Sequence, residues 1–145
     1  MTAIGPFAGP WAFLSNFYPS PVEWQGRLYP TVENAFQAAK TDDPAALERL
    51  TELPPDQAAE LGRLVPLRPD WEAVKLGVMA ELLALKFEIP AVRRRLLATG
   101  QAELLNIAWW GDLTWGMAKG RGANHLGRLL MELRAGLSSA TPPQQ

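Results

Sequence analysis

The chain contains no cysteine in its 145 residues. Disulfides, thiolate nucleophiles and cysteine-ligated metals are therefore excluded. A single histidine, His125, is present. Neither a metal site with two histidines nor a Cys–His pair can be assembled. Strong charge of one sign is also missing, because 14 basic residues face 15 acidic ones for a net charge of −1. No global positive field exists to hold a nucleic-acid backbone. The clusters Arg93-Arg94-Arg95 and Lys119 to Arg121 leave room only for a local contact with nucleic acid. No apolar run reaches the roughly 18 residues of a membrane span. The N-terminus lacks a basic segment followed by an apolar run, so no secretory signal is expected. These absences predict a soluble cytoplasmic protein with no membrane partner.

Tryptophan, by contrast, is abundant. Six are present, and Trp109, Trp110 and Trp115 crowd together. Aromatic density usually marks a core, but it also suits stacking on a flat ligand. With 48% hydrophobic and 20% charged residues, the balance is that of an ordinary globular domain. The length suits one domain with a real core.

Turn chemistry divides the chain. GPFAGPWAFLSNFYPSP, rich in Gly, Pro and aromatics, reads as short strands and turns without helix. VEWQGRLYP predicts a hairpin about Gln25-Gly26. Thr31 is placed to cap a helix over 32–40. Pro44 and the Pro54-Pro55-Asp56 run open two more helices, near 44–52 and up to about Val65. Asp70 predicts the cap of the longest helix, Trp71 to Phe87, which is apolar on most sides and so expected to be buried. Pro90 opens a helix ending at Thr99-Gly100. The tryptophan-rich stretch 103–118 reads as loop or short strand. Asn124 is expected to cap a final helix with Leu126, Leu129, Leu130 and Leu133 inward. The prediction is an α+β fold: one mostly helical domain over residues 1–137, with a small N-terminal sheet or hairpin. Residues 138–145, ending SSATPPQQ, read as a disordered tail.

Standard motifs for chemistry are absent, including the dinucleotide fingerprint and the P-loop. The candidates are polar residues set among aromatics. Asn16 lies between Phe13-Leu14 and Phe17-Tyr18, and a turn role and a binding role fit it equally. Asp112 sits in WWGDLTWG, where a carboxylate among indoles needs partners or solvent. GRGANHLG precedes a helix and offers backbone N–H groups to an anion, although a plain Gly-rich turn explains it as well. In YPTVENAFQAAK, Glu33, Gln37 and Lys40 fall at i, i+4 and i+7. By periodicity alone that stripe is an ordinary solvated helix face.

Taken in order, FLSNFYPSPV, YPTVENAFQAAK, LGRLVPLRPDW, LLATG, WGDLTWG and GRGANHLGRLLMELR resemble the NADAR, or YbiA-like, family from about Ile4 to Leu137. The resemblance implies an α+β fold and N-glycosidase activity on nucleotide-like small molecules. The substrates it implies are ribosylamine intermediates of riboflavin biosynthesis or ADP-ribosylated guanine. The family's motif residues match Glu33, Lys40 and Asp112 as the catalytic set. They match Asn16, Phe17, Gln37, Trp71, Trp110, Trp115, Gly120, Gly122 and Asn124 as the substrate-binding set. No metal and no cofactor is expected. Two positions depart from the family pattern. Asn34 stands where the family usually has His, and Asn106 where many members have Glu. If either position tunes proton transfer or substrate choice in the family, the resemblance implies a different rate or specificity here.

Breaking a ribosyl C–N bond passes through an oxocarbenium-like state that carboxylates stabilise. Of Glu33 and Asp112, one is expected to activate water. The other stabilises the sugar cation or protonates the leaving nitrogen. Lys40 suits a phosphate or proton donation, and Trp71 or Trp110 suits stacking on the base. The resemblance turns the stripe from a solvated face into the expected wall of a cleft shared with Trp71 and Asp112. The alternative is a module that binds ADP-ribose or a nucleotide without cutting it.

Overall fold

In the computed structural model, which describes residues 2–140, the chain begins with β1 (Ala3–Ile4) and a 3-10 turn, Gly9–Leu14. The hairpin β2 (Val22–Trp24) and β3 (Arg27–Tyr29) follows, then α1 (Val32–Ala38), α2 (Pro44–Leu50), α3 (Pro55–Gly62) and α4 (Trp71–Lys86). The chain ends with α5 (Pro90–Ala98), β4 (Glu103–Leu104) and α6 (His125–Ala140). These elements form two compact units. One is Asn16–Ile89, and the other joins the N-terminal residues through Ser15 to the chain from Pro90 onward.

In the Asn16–Ile89 unit, Gln25 and Gly26 have φ of 49° and 84°. Two left-handed residues are what a two-residue hairpin turn requires. The turn pairs Val22 with Tyr29 and Trp24 with Arg27. Thr31 caps α1 as predicted, its hydroxyl accepting the Asn34 N–H at 3.1 Å. Glu33 sits in the first turn, where the helix dipole favours negative charge. α1 packs against α2, α3, α4 and both hairpin strands. Polar residues are buried there with apolar ones. Asn34 is fully buried, accepting from the Thr31 hydroxyl at 2.7 Å. It donates to the carbonyls of Leu50 and Leu53 at 2.8 Å each.

Asp70 occupies the N-cap position of α4 as predicted, but its side chain makes no capping hydrogen bond. Its carboxylate is taken instead by the Arg68 guanidinium, at 2.6 and 2.9 Å, a stronger partner than a backbone N–H. Although α4 is apolar on most sides, it is buried on one: Trp71, Val78, Met79, Leu82, Leu83 and Lys86 form that face while Leu76 is exposed. Lys86 lies on that face because it follows Met79, Leu82 and Leu83 at helical spacing. Its Nζ lies 5.7 Å from the Tyr18 ring centroid and 5.2 Å from that of Phe87. Burial pushes its pKa from 10.5 down to about 7.

In the other unit, β1 and β4 pair in parallel, Ala3 with Glu103 and Ile4 with Leu104. The segment expected to lack helix forms the 3-10 turn, with Pro10 in its first positions. Proline presets φ there, and a short 3-10 run needs few bonds. The Arg95 guanidinium lies 4.3 Å over the Phe13 ring and donates to the Pro10 carbonyl at 2.8 Å. The Arg93 to Arg95 cluster therefore does not present three open cations. α6 packs on β4 and α5. Leu126 and Leu130 are buried, and Leu129 and Leu133 half-buried. Arg134 donates to the Thr99 hydroxyl and the Ala102 carbonyl, both at 2.8 Å. Ser138 and Ser139 belong to α6, so the expected tail from 138 starts too early. Residues 141–145 lie outside the described residues. No helix among the described residues is long and apolar enough to cross a membrane.

Two stability measurements test these assignments. Removing the Asn34 amide leaves the Leu50 and Leu53 carbonyls without it, so Asn34→Ala should lower stability by about 3 kcal/mol in urea denaturation. For Lys86, the folded protein holds the proton less tightly than the unfolded chain. The cost of charging it is full below about pH 7 and fades as pH approaches 10.5. The stability difference between wild type and Lys86→Met should therefore move in favour of wild type as pH rises from 7 to 10. A difference that is flat with pH contradicts the assignment.

Candidate active site

α1 carries Glu33 and Gln37, and Lys40 follows just past its end. The Glu33 backbone N–H donates to the Asn16 carbonyl at 3.1 Å, tying the SNF segment to the first turn. One turn on, the Gln37 Nε2 donates to Glu33 Oε2 at 2.6 Å. Gln37 is only 6% exposed, and Glu33 and Lys40 are half-buried. The stripe is thus not a solvated face. Packing of α1 against three helices overrides what its periodicity suggests.

Asn16 is 9% exposed, and its Nδ2 lies 3.6 Å from the Met79 sulfur. Its Oδ1 is buried with no hydrogen-bond partner among the described residues, as is Gln37 Oε1. Such an acceptor is costly unless a donor fills it. A ligand hydroxyl would do so at Asn16. Phe17, beside it, is 44% exposed.

The Lys40 ammonium lies 6.0 Å from the Phe36 ring centroid. Burial lowers its pKa, Glu33 opposes that shift, and Arg63 and Lys75 reinforce it. Lys40 is therefore an amine in a partly desolvated, cation-rich neighbourhood with one carboxylate in range. Trp71, expected to stack on a base, is largely enclosed in the fold. Its ring is 5% exposed and lies tilted on Phe36, with centroids 5.0 Å apart. Packing against Phe36 buries the indole and leaves little of its face for a base.

The remaining candidates belong to the other unit. Asp112 Oδ1 accepts the backbone N–H groups of Thr114 and Trp115 at 3.1 and 3.0 Å. The partners this carboxylate needs are supplied by backbone, in a local turn typical of Asp. Trp115 is half-buried, edge-on to His125 at 6.1 Å. Trp110 is 73% exposed and Trp109 72%. Gly120 and Gly122 have φ of 75° and 126°, a conformation glycine adopts freely. Asn124 is buried, and its side chain is bonded to backbone groups near β4. It donates to the Leu104 carbonyl at 3.0 Å and accepts the Asn106 N–H at 2.9 Å. That bridge ties the end of β4 to the start of α6.

At both departures from the family pattern the asparagine amide is held by backbone. Both amide protons of Asn34 are engaged by the carbonyls of Leu50 and Leu53. The Asn106 amide donates to the Trp115 carbonyl at 3.1 Å. Gly62 escaped notice in the sequence, where nothing marks which glycine meets a neighbouring helix. Lys86 was legible, since its spacing from Met79 and Leu82 places it on the buried face. A hollow of about 390 Å³ between α2 and α3, lined by Arg49, Asp56 and Glu60 among others, contains none of the candidates. No group of three or more His, Cys, Asp or Glu able to hold a metal occurs among the described residues.

Comparison with known proteins places this geometry in a family. The chain is 43% identical over 132 residues to "N-glycosidase YbiA" of Escherichia coli (strain K12), covering 86% of this chain and 80% of that protein. It is 35% identical over 140 residues to "Riboflavin biosynthesis protein VVA0006" of Vibrio vulnificus (strain YJ016), covering 90% of this chain but 36% of that longer protein. The NMR structure of the E. coli protein YbiA matches with a TM-score of 0.83 at 39% identity, over 95% of this chain and 86% of that one. The family model described as NADAR domain matches residues 6–138, and the chain belongs to that family.

Proposed function

We propose that the protein is an N-glycosidase, a hydrolase that cleaves the ribosyl C1–N bond of a nucleotide-like substrate. The observation that carries this reading is the Glu33 carboxylate, fixed at 2.6 Å by a nearly buried Gln37 amide on a helix packed from several sides. The names of the relatives support the reaction class. A carboxylate held in one orientation can take a proton from water as the water attacks C1. Its negative charge also stabilises the sugar cation that develops as the C–N bond breaks. The electron pair of that bond leaves with the nitrogen, which is protonated on departure. Asn16 Oδ1, a buried acceptor, suits a ribose hydroxyl. Lys40, reinforced by Arg63 and Lys75, supplies positive charge suited to a substrate phosphate.

Within this class, a ribosylamine intermediate of riboflavin biosynthesis is the preferred substrate, and ADP-ribosylated guanine is second. The riboflavin-named relative supports that order. The experiment is incubation with riboflavin-pathway ribosylamines and with ADP-ribosylated guanosine, following base release by chromatography. Release from the ribosylamines is expected. Saturable binding with no product would replace the enzyme with a binding module.

Glu33→Gln should keep the fold and lower kcat by about a hundredfold or more. Asp112 is tested separately. Asp112→Asn retains an oxygen for the Thr114 and Trp115 N–H groups, so its thermal stability should stay near wild type. A fall in its turnover would then report the use of its charge. Wild-type turnover in both variants would remove the carboxylates from the mechanism.

A further inference from the structure

Gly62 is the last residue of α3, and its φ is not in the left-handed region. The backbone there does not call for glycine, and alanine would favour the helix. The demand comes from α1, against which α3 packs. A Cβ on Gly62 would overlap Gln37 Oε1 and would lie 2.5 Å from Gln37 Cδ and 3.1 Å from Cγ. A flexible side chain can usually swing away from such a clash. Gln37 is 6% exposed, so a swing away from the new methyl group has to move its packed neighbours. The two ends of its amide differ. Nε2 donates to Glu33 at 2.6 Å, whereas Oε1 has no hydrogen-bond partner among the described residues. With no donor to fix it, the Oε1 end is located by van der Waals contact with the bare Cα of Gly62.

We infer that Gly62 is a positioning residue for Glu33, acting through the Gln37 amide. The close approach that glycine permits seats Gln37 so that its Nε2 meets the carboxylate. Any side chain at residue 62 displaces the amide and so removes the Gln37 bond that helps orient the carboxylate. This rests on Glu33 carrying the reaction proposed above.

The test is a double-mutant cycle on the full chain with Gly62→Ala, Gln37→Ala and the double variant. Both kcat and KM are measured on whichever riboflavin-pathway ribosylamine or ADP-ribosylated guanosine the wild type cleaves, with thermal unfolding alongside. Gly62→Ala should lower kcat by about tenfold to a hundredfold, as small misplacements do, with KM little changed. Gln37→Ala should do the same, and the double variant should be no worse than Gln37→Ala alone. Unfolding should show the same coupling. Gly62→Ala lowers Tm in the wild-type background but not in Gln37→Ala, where the truncated side chain leaves room for the new methyl group.

Independent, multiplying losses in kcat, or a wild-type kcat in Gly62→Ala, would overturn the inference. If Gly62→Ala alone fails to fold but the double variant folds, the clash with Gln37 is upheld. If neither folds, something other than Gln37 demands the glycine, and the inference fails. A wild type inert toward every substrate overturns the N-glycosidase reading first, and this inference falls with it.

Discussion

The burial of α1 is the constraint on which the Asn16–Ile89 unit depends. A helix reading VENAFQA carries three polar or charged side chains in seven residues, yet six of the seven positions are buried. Polar groups taken out of water need partners. Asn34 finds them in Thr31 and in the carbonyls that end α2. Gln37 finds one in Glu33. The bonds that make α1 tolerable inside the unit also fix the direction of its one carboxylate. Stability and site geometry thus arise from the same contacts.

Lysine burial adds a second layer. Lys40 and Lys86 lie in places that disfavour their charge, Lys86 far more than Lys40 because it is fully enclosed. Lys40 has Glu33 as a counter-charge within electrostatic range. It stays half-exposed, which suits contact with a ligand. Lys86 lies against aromatic rings, and its ammonium answers to pH rather than to solvent. The same residue type, just past the end of α1 and on α4, therefore has two different chemistries, decided by exposure.

Much of the fold is legible in the sequence because local rules govern it. Gln25-Gly26 specifies a left-handed turn, Thr31 offers an oxygen to its own helix, and the prolines at 44, 55 and 90 open helices. Local rules fail where a distant group outbids a near one. Asp70 is placed to cap α4 but is captured by Arg68. Asn124 is placed to cap α6 but reaches back to β4. β1 pairs with β4, about a hundred residues away in the chain, which no turn signal announces.

At the candidate site, Glu33, Gln37 and Lys40 form a stripe that periodicity alone would assign to solvent and that packing of α1 takes out of it. The sequence by itself determined which family the chain belongs to. It also determined the helix starts, because these follow from side-chain types and short spacings. Tertiary structure alone decided that Trp71 serves the core and that Asn34 is a structural clamp. It also decided that Gly62 must lack a side chain. Each of these depends on what another helix brings within a few ångströms, and no property of the residue or its sequence neighbours encodes that.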